Sequence, residues 1–332
     1  MEKQTFRTLV TPGNYPFNID HTTKILSIGS CFASHIAKRL EQAKFSTYLN
    51  PFGIIYHPLA IAKGLTDLLD GKQIEATSLF LHQDLWHSFD FHSQFSHPDP
   101  TIALSQMNQS LALARSFLSE AKVLMVTLGT AGAFIHQKSE RLVANCHKLP
   151  ATDFKRQRLS VAEIRNSLSA AFSRLHQQQP DLKIILTLSP VRHIKDGLVE
   201  NQRSKASLLL AIDHLCMDHP YIHYFPAYEM VIDDLRDYRF FEPDLIHPSK
   251  LAIDYIWGHF QAAFFSEESQ QLVQRIRKMV QASLHRPFHP NTPSHQLFAR
   301  QQLEGIQALK HAHPHLDFSK EENHFKTILA AI

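Results

Sequence analysis

Three short apolar runs constrain this chain more than anything else in it: Ile25 to Ile28, Val123 to Leu128 and Ile184 to Leu188. Each stops at a turn signal, namely Gly29, Gly129 and Ser189-Pro190, and each leads, at once or after a loop, into a helical pattern. A fourth run, Tyr221 to Phe225, ends at Pro226. Runs without polar alternation suit strands covered on both faces. Strands alternating with helices therefore predict a doubly wound α/β sheet.

The first helix is expected from Phe32 to about Phe45, with Ile36, Leu40 and Ala43 as its apolar stripe. Further helices are expected over Leu104 to Glu120, Val161 to Gln178, Asn201 to Met217 and Lys250 to Phe265. The link between the first two runs is long. It carries Asn50-Pro51-Phe52-Gly53 and a His- and Phe-rich stretch from Leu79 to His97, and insertions of this kind often bring binding residues. No strand pattern follows Phe265. Helical patterns at Gln270 to Leu284, Gln296 to His311 and Lys320 to Ile332 flank a segment, Arg286 to Pro293, that holds three prolines. The expected division is a catalytic unit over 1–266 and a helical extension over 267–332.

Hydrophobic residues make up 44% of the chain and charged residues 20%, enough to fill a large core. A net charge of +3 gives no electrostatic case for nucleic acid or an anionic membrane as the main partner. The 23 histidines would add positive charge steeply below about pH 6.5. Cys31, Cys146 and Cys216 are an odd set without paired spacing, so neither a disulfide framework nor structural zinc is expected. Met1 to Asp20 contains Pro12 and Pro16 and no apolar core of a signal peptide, and no apolar run is long enough to span a bilayer. The expectation is a soluble, cytoplasmic chain, with leaderless export left open.

In such sheets ligands bind beyond the carboxyl ends of the strands. The first run delivers Gly29-Ser30-Cys31-Phe32-Ala33 to that position. Cys31 would open a helix, where free N–H groups and the dipole favour a thiolate and can hold an oxyanion. Far along the chain, Pro243-Asp244-Leu245-Ile246-His247-Pro248-Ser249 puts an Asp and a His three residues apart, close enough to meet on one turn. The carboxylate can then orient the imidazole, leaving its other nitrogen for a nucleophile. Taken singly, Cys31 could be a small core residue, Asp244 a helix cap and His247 a surface histidine. Ser30 is a rival nucleophile one position early, expected instead to support the turn or cap the helix.

Gly29-Ser30-Cys31-Phe32-Ala33 spells the name motif of the GSCFA family, which resembles a branch of the SGNH (GDSL-type) hydrolases. The resemblance extends over Ala144-Asn145-Cys146-His147-Lys148, Thr187 to Arg192, Val199-Glu200-Asn201-Gln202, Leu235 to Phe241 and Asp244 to Ser249. It implies a three-layer α/β/α fold with a mainly parallel, flavodoxin-like sheet of SGNH type. Cys31 aligns with the serine nucleophile, and Asp244 and His247 with the Asp-x-x-His block. Gly53 is matched to the glycine whose N–H donates to the oxyanion. Gly129-Thr130-Ala131 stands where a Gly-x-Asn block is usual, with Thr130 a candidate contact to substrate. Ala131 has no amide to donate, so Asn145 or Asn50 is expected to replace it.

Other features admit plainer readings. His193 is a substrate contact or a loop histidine. Arg192 could bind an anionic group or pair with Glu200 or Asp196. His82, His87, His92 and His97 recur every five residues, which gives no shared metal face, and Trp86, Phe89, Phe91 and Phe95 suggest an apolar wall. The function expected is an acyl-group hydrolase or acyltransferase with a Cys nucleophile. It would act without a cofactor on an ester or thioester of a small molecule, glycan or lipid. The alternative is an inactive binding protein on the same scaffold.

Overall fold

The computed structural model describes residues 8–290 and 292–330. The first seven residues and the last two, where the expected final helix runs out, lie outside the described residues. The central sheet has five parallel strands: β1 (Ile25–Gly29), β2 (Thr47–Leu49), β3 (Val123–Leu128), β4 (Lys183–Leu188) and β5 (Ile222–Phe225). Their order is β5-β4-β3-β1-β2. From the other edge this is 2-1-3-4-5, the flavodoxin-like arrangement.

The helices are α1 (Cys31–Gln42), α2 (Pro58–Leu69), α3 (Pro100–Glu120), α4 (Val161–Gln178), α5 (Gly197–Asp218) and α6 (Lys250–Phe264). Period-two alternation in the strands explains the layers. Leu26, Ile28, Leu124, Val126, Ile184 and Leu186 face one core, shared with α2 to α5. Ile25, Val123, Met125 and Ile185 face a second core, shared with α1 and α6. The chain is a three-layer α/β/α fold around a parallel sheet of flavodoxin-like strand order.

Sequence reasoning missed three parts. Strand β2 is three half-buried residues at the sheet edge, too short to show a period. Helix α2 hides in the long link, started by Pro58 at its first position and by His57, whose Nδ1 accepts the Ala60 N–H at 3.3 Å. A small antiparallel sheet joins Gly132–His136 to Arg141–Val143 and Phe154–Arg158. Its core of Phe89, Val143 and Phe154 meets the aromatic segment. That segment forms the hairpin Phe80–His82 with Leu85–His87.

Past α6 come α7 (Glu267–Leu284), α8 (Pro293–Ala312) and α9 (Ser319–Ala330). They enclose a separate core of Leu272, Ile276, Ile306, Leu316, Phe318 and Phe325. A half-buried ion pair, Lys44 to Glu321 at 2.7 Å, ties this core to the turn after α1. Among the described residues no helix is long and apolar enough to cross a membrane.

Candidate active site

The switch point of a doubly wound sheet lies where neighbouring strands send their chains to opposite faces, and a crevice opens there. Here it falls between β1 and β3. Chain leaving β1 turns into α1, in the second core, while β3 continues towards helices of the first. Gly29 ends β1 opposite Thr127 with φ of +152°, and a Cβ there would lie 2.4 Å from the Thr127 carbonyl oxygen. Only glycine lets the chain turn so close to β3. Ser30 follows as the N-cap of α1. Its Oγ accepts the Phe32 N–H at 3.3 Å and donates to Ser189 Oγ at 3.0 Å. Ser30 is buried and occupied in capping.

Cys31 is the first residue of α1 and is half-buried. Its own N–H and that of Phe32 favour the thiolate, but burial outweighs them and pushes the thiol pKa up. The helix start therefore does not by itself make Cys31 an anion, as its sequence position suggested. Lys205 pulls the pKa down and Asp244 pushes it up. Cys146 and Cys216 are raised by burial to about 11, and all three cysteines are free.

Asp244 and His247 meet on one turn. His247 Nδ1 lies 2.6 Å from Asp244 Oδ2, and Asp244 Oδ1 accepts the backbone N–H of Ile246 at 2.9 Å and of His247 at 3.0 Å. These hydrogen bonds, led by the His247 N–H, lower the Asp244 pKa to about 2. With Nδ1 turned to the carboxylate, the neutral ring presents Nε2 to a reacting group. The Arg192 N–H donates to Ile246 O at 3.2 Å, fixing the turn to the loop after β4. Both side chains are exposed. The turn shares the sheet's carboxyl rim with Cys31, which feels the Asp244 charge, but no hydrogen bond joins Cys31 to His247 among the described residues.

The amides assigned to the oxyanion are placed unequally. Gly53, at φ +74°, donates its N–H to Asn50 O at 2.7 Å, so that donor is already committed. The turn itself needs glycine, since a Cβ would lie 2.3 Å from His92 Cβ. Asn50 Oδ1 accepts the Gly29 N–H at 2.8 Å, and its Nδ2 reaches Ser34 Oγ at 3.4 Å. Asn50 thus braces the Cys31 turn. Asn145 Oδ1 accepts the His147 N–H at 2.8 Å, and its Nδ2 makes no hydrogen bond among the described residues. Thr130 Oγ1 accepts the Gly132 N–H at 3.0 Å and meets Ser204 Oγ at the same distance, a structural role. Ser204 also accepts the Ala131 N–H at 2.7 Å.

His193 is drawn in beside them. Its N–H donates to Asn201 Oδ1 at 2.9 Å, its ring packs 5.1 Å from that of Tyr56, and burial lowers its pKa to about 4. Its Nε2 is buried without a partner among the described residues. Arg192 does not pair with Glu200 or Asp196. Its guanidinium lies 4.1 Å over the Phe241 ring, while Asp196 pairs with Arg156, and Glu200 with Arg158 and Arg203. The recurring histidines form no metal group: His87 Nδ1 contacts Ser96 Oγ at 2.6 Å, and His92 packs on Gly53.

Sequence reasoning passed over Tyr56 and Lys205. Tyr56 has its pKa raised chiefly by burial, and its ring packs against that of His193. Two cavities flank the rim. One of about 680 Å3 runs between α1, α6 and α7, with His35, Lys38, Pro248, Trp257 and Arg277 in its wall. Another, about 250 Å3, is lined by Thr130, Arg156, His193, Asn201 and Ser204.

The profile of the GSCFA family matches residues 24–260. The chain belongs to the GSCFA family. A second profile, the C-terminal domain of GSCFA domain proteins, matches residues 273–331. No curated protein matches the GSCFA chain. Among solved structures it is similar to a carbohydrate esterase family 3 from Talaromyces cellulolyticus, with 8% identity and a TM-score of 0.35 over 77% of this chain and 99% of that one. A family 3 carbohydrate esterase of Clostridium thermocellum gives 10% identity and 0.32, over 76% and 98%. An acetyl xylan esterase of the rumen bacterium Butyrivibrio proteoclasticus gives 12% and 0.37, over 81% and 66%.

Proposed function

We propose that this GSCFA chain is an acyl-group hydrolase or acyltransferase that uses Cys31 as its nucleophile. The observation that carries the reading is the pairing of His247 with Asp244 at 2.6 Å on the rim where α1 presents Cys31. Because burial keeps the thiol protonated, attack needs a base. His247 Nε2 takes the thiol proton as sulfur bonds to the acyl carbon and the carbonyl π pair moves onto oxygen. The N–H of Cys31 and the free amide of Asn145 are the donors for that oxyanion, while Asn50 and Gly53 hold the turn. Collapse expels the leaving alkoxide or thiolate, which takes the proton from imidazolium. His247 then deprotonates water or an acceptor hydroxyl, whose attack on the thioester releases the acyl group and restores the thiol.

Intact-protein mass spectrometry with a nitrophenyl ester tests this. Acid quench of the native protein soon after mixing captures one acyl group, which maps to the Cys31 peptide. His247→Ala, without the base that attack needs, is acylated far more slowly, and Cys31→Ala takes up none. An acyl group on Ser30 removes the nucleophile assignment. No acylation of the native protein by any activated ester or thioester removes the enzyme. A second reading, a binding protein on the same scaffold, draws on the missing amide at Ala131 and the committed N–H of Gly53. It requires Cys31 to alkylate no faster than a model thiol.

A further inference from the structure

The groove of about 680 Å3 between α1, α6 and α7 has the size of a ligand site, for which roughly 300–1,000 Å3 is usual. Packing sets its floor. Ala43, Ile253 and Val273 are buried in the core that α1 and α6 share, and Val273 seats α7 on that core. Its walls are the helix faces beyond that seat. Along α7 the lining runs from Gln270 to Leu284, about 21 Å of helix at 1.5 Å per residue.

One end of the groove lies at the reacting groups. His35, in its wall, follows Cys31 by one turn of α1, and residues four apart share a helix face. Pro248 directly follows His247 in the chain. Glu242, also in the wall, donates its backbone N–H to His247 O at 2.7 Å.

The chemistry of the walls selects a ligand. Arg39 of α1 pairs with Asp254 of α6 at 2.5 Å. Lys38, Lys250 and Arg277 line the groove with no ion-pair partner among the described residues. Gln42, Gln261, Gln274 and Gln281 line it with no side-chain hydrogen bond among the described residues. An amide carries both donor and acceptor, as a sugar hydroxyl does, so the two can pair in either sense. Trp257 is half-buried, backed by Phe260 and Phe265 at ring-centroid distances of 5.7 and 5.6 Å, and it gives the wall a broad apolar surface. An alkyl chain laid in the groove would strip water from these cations and amides and give them no partner. A ligand with its phosphates clustered calls for clustered cations, whereas Lys38, Lys250 and Arg277 stand on three different helices. A sugar chain with carboxylates spaced along it meets the amides, the indole and the separated cations together.

Resting on the acyl-transfer reading above, we infer that this groove binds an acidic oligosaccharide, whose hydroxyl at the His247 end gives up or accepts the acyl group. In the transfer direction His247 takes the hydroxyl proton and the sugar oxygen bonds to the acyl carbon of the Cys31 thioester. The C–S bond breaks, and the proton passes from imidazolium to sulfur. In hydrolysis the same sugar oxygen is the leaving group, so one groove serves both directions.

Calorimetry of the native full chain with tri-galacturonate, a carboxylate-bearing trisaccharide, tests this. Binding should saturate and should weaken as salt rises. Arg277→Gln removes an exposed guanidinium and should raise Kd about tenfold, as loss of a charge-assisted hydrogen bond does. The chain has two tryptophans, Trp86 and Trp257. In NMR spectra of the native chain, the indole N–H resonance of Trp257 should shift on binding while that of Trp86, in the Phe80–His82 and Leu85–His87 hairpin, stays in place. No binding at millimolar tri-galacturonate, a shift at Trp86 alone, or a native Kd in Arg277→Gln overturns the inference. Equal binding of neutral cellotriose overturns the acidic class, and tighter binding of coenzyme A than of the trisaccharide overturns the sugar. Failure of the parent reading looks different: Cys31 then takes no acyl group from any ester, while tri-galacturonate still binds.

Discussion

At the scale of residues, the site depends on chain geometry before it depends on reactive groups. Gly29 is there because β1 must turn against the Thr127 carbonyl with no room for a Cβ. Gly29→Ala forces both a clash and an unfavourable φ, so it should cost about 1–3 kcal/mol in urea unfolding. It should also misplace Cys31, lowering acylation more than stability alone predicts. A stable Gly29→Ala protein with native acylation kinetics would show that the turn has slack the structure does not contain. Asp244 illustrates the reverse case. Its three hydrogen bonds are local to one turn, so Asp-x-x-His spacing was readable without any knowledge of the sheet.

At the scale of elements, α1 joins capping to presentation of Cys31. Ser30 caps the helix and links it to Ser189 after β4, so one hydroxyl serves two elements. Ser30→Ala should cost about 1 kcal/mol through the lost cap. Acylation of Cys31 should persist in it, well above the level of Cys31→Ala; loss of all acylation in Ser30→Ala would reopen Ser30 as the nucleophile. Helix α5 shows where element-level reading stopped short. Its periodicity was plain over Asn201 to Met217, yet polar Asn201, Ser204 and Lys205 occupy its buried face. A charged residue in register with Leu208 and Leu215 was a signal available in the sequence, and Lys205 donates to the Gly129 and Ser189 carbonyls just past the ends of β3 and β4.

At the scale of the whole molecule, histidines are structural more often than chemical. His21, His57, His147 and His193 each have a pKa lowered to about 4, with burial the largest cause. His57 Nε2 lies 3.0 Å from Val143 O, and His147 Nε2 lies 2.8 Å from Ser88 O. A pKa lowered on folding means that the folded chain prefers the neutral ring. The stability this confers is complete above the unfolded value of about 6.5 and is lost as pH falls towards 4. Each such histidine removes roughly 1 kcal/mol per pH unit across that window. Urea midpoints should therefore fall steeply from pH 6.5 to 4. In a variant with His57→Gln, which keeps a neutral donor, the slope should be shallower by about one proton. An equal slope in both proteins would show that His57 does not titrate on unfolding in this range.

The sequence by itself determined the alternation of strands and helices, the Cys31 turn and the Asp244–His247 turn. Each is a local pattern, set by side-chain period or by contacts within a few residues. The family motif gathered them into one expected site. Tertiary structure alone decided the rest. It placed β2 at the sheet edge, committed the Gly53 N–H to Asn50, and turned Thr130 inward to the Ser204 network. It raised the Cys31 pKa by burial where the helix start argued for lowering it. It also brought Lys205 beneath residues 76 and 16 positions away in the chain. Desolvation and long-range hydrogen bonds depend on what the folded chain packs around a group, and neighbours in sequence carry no record of that.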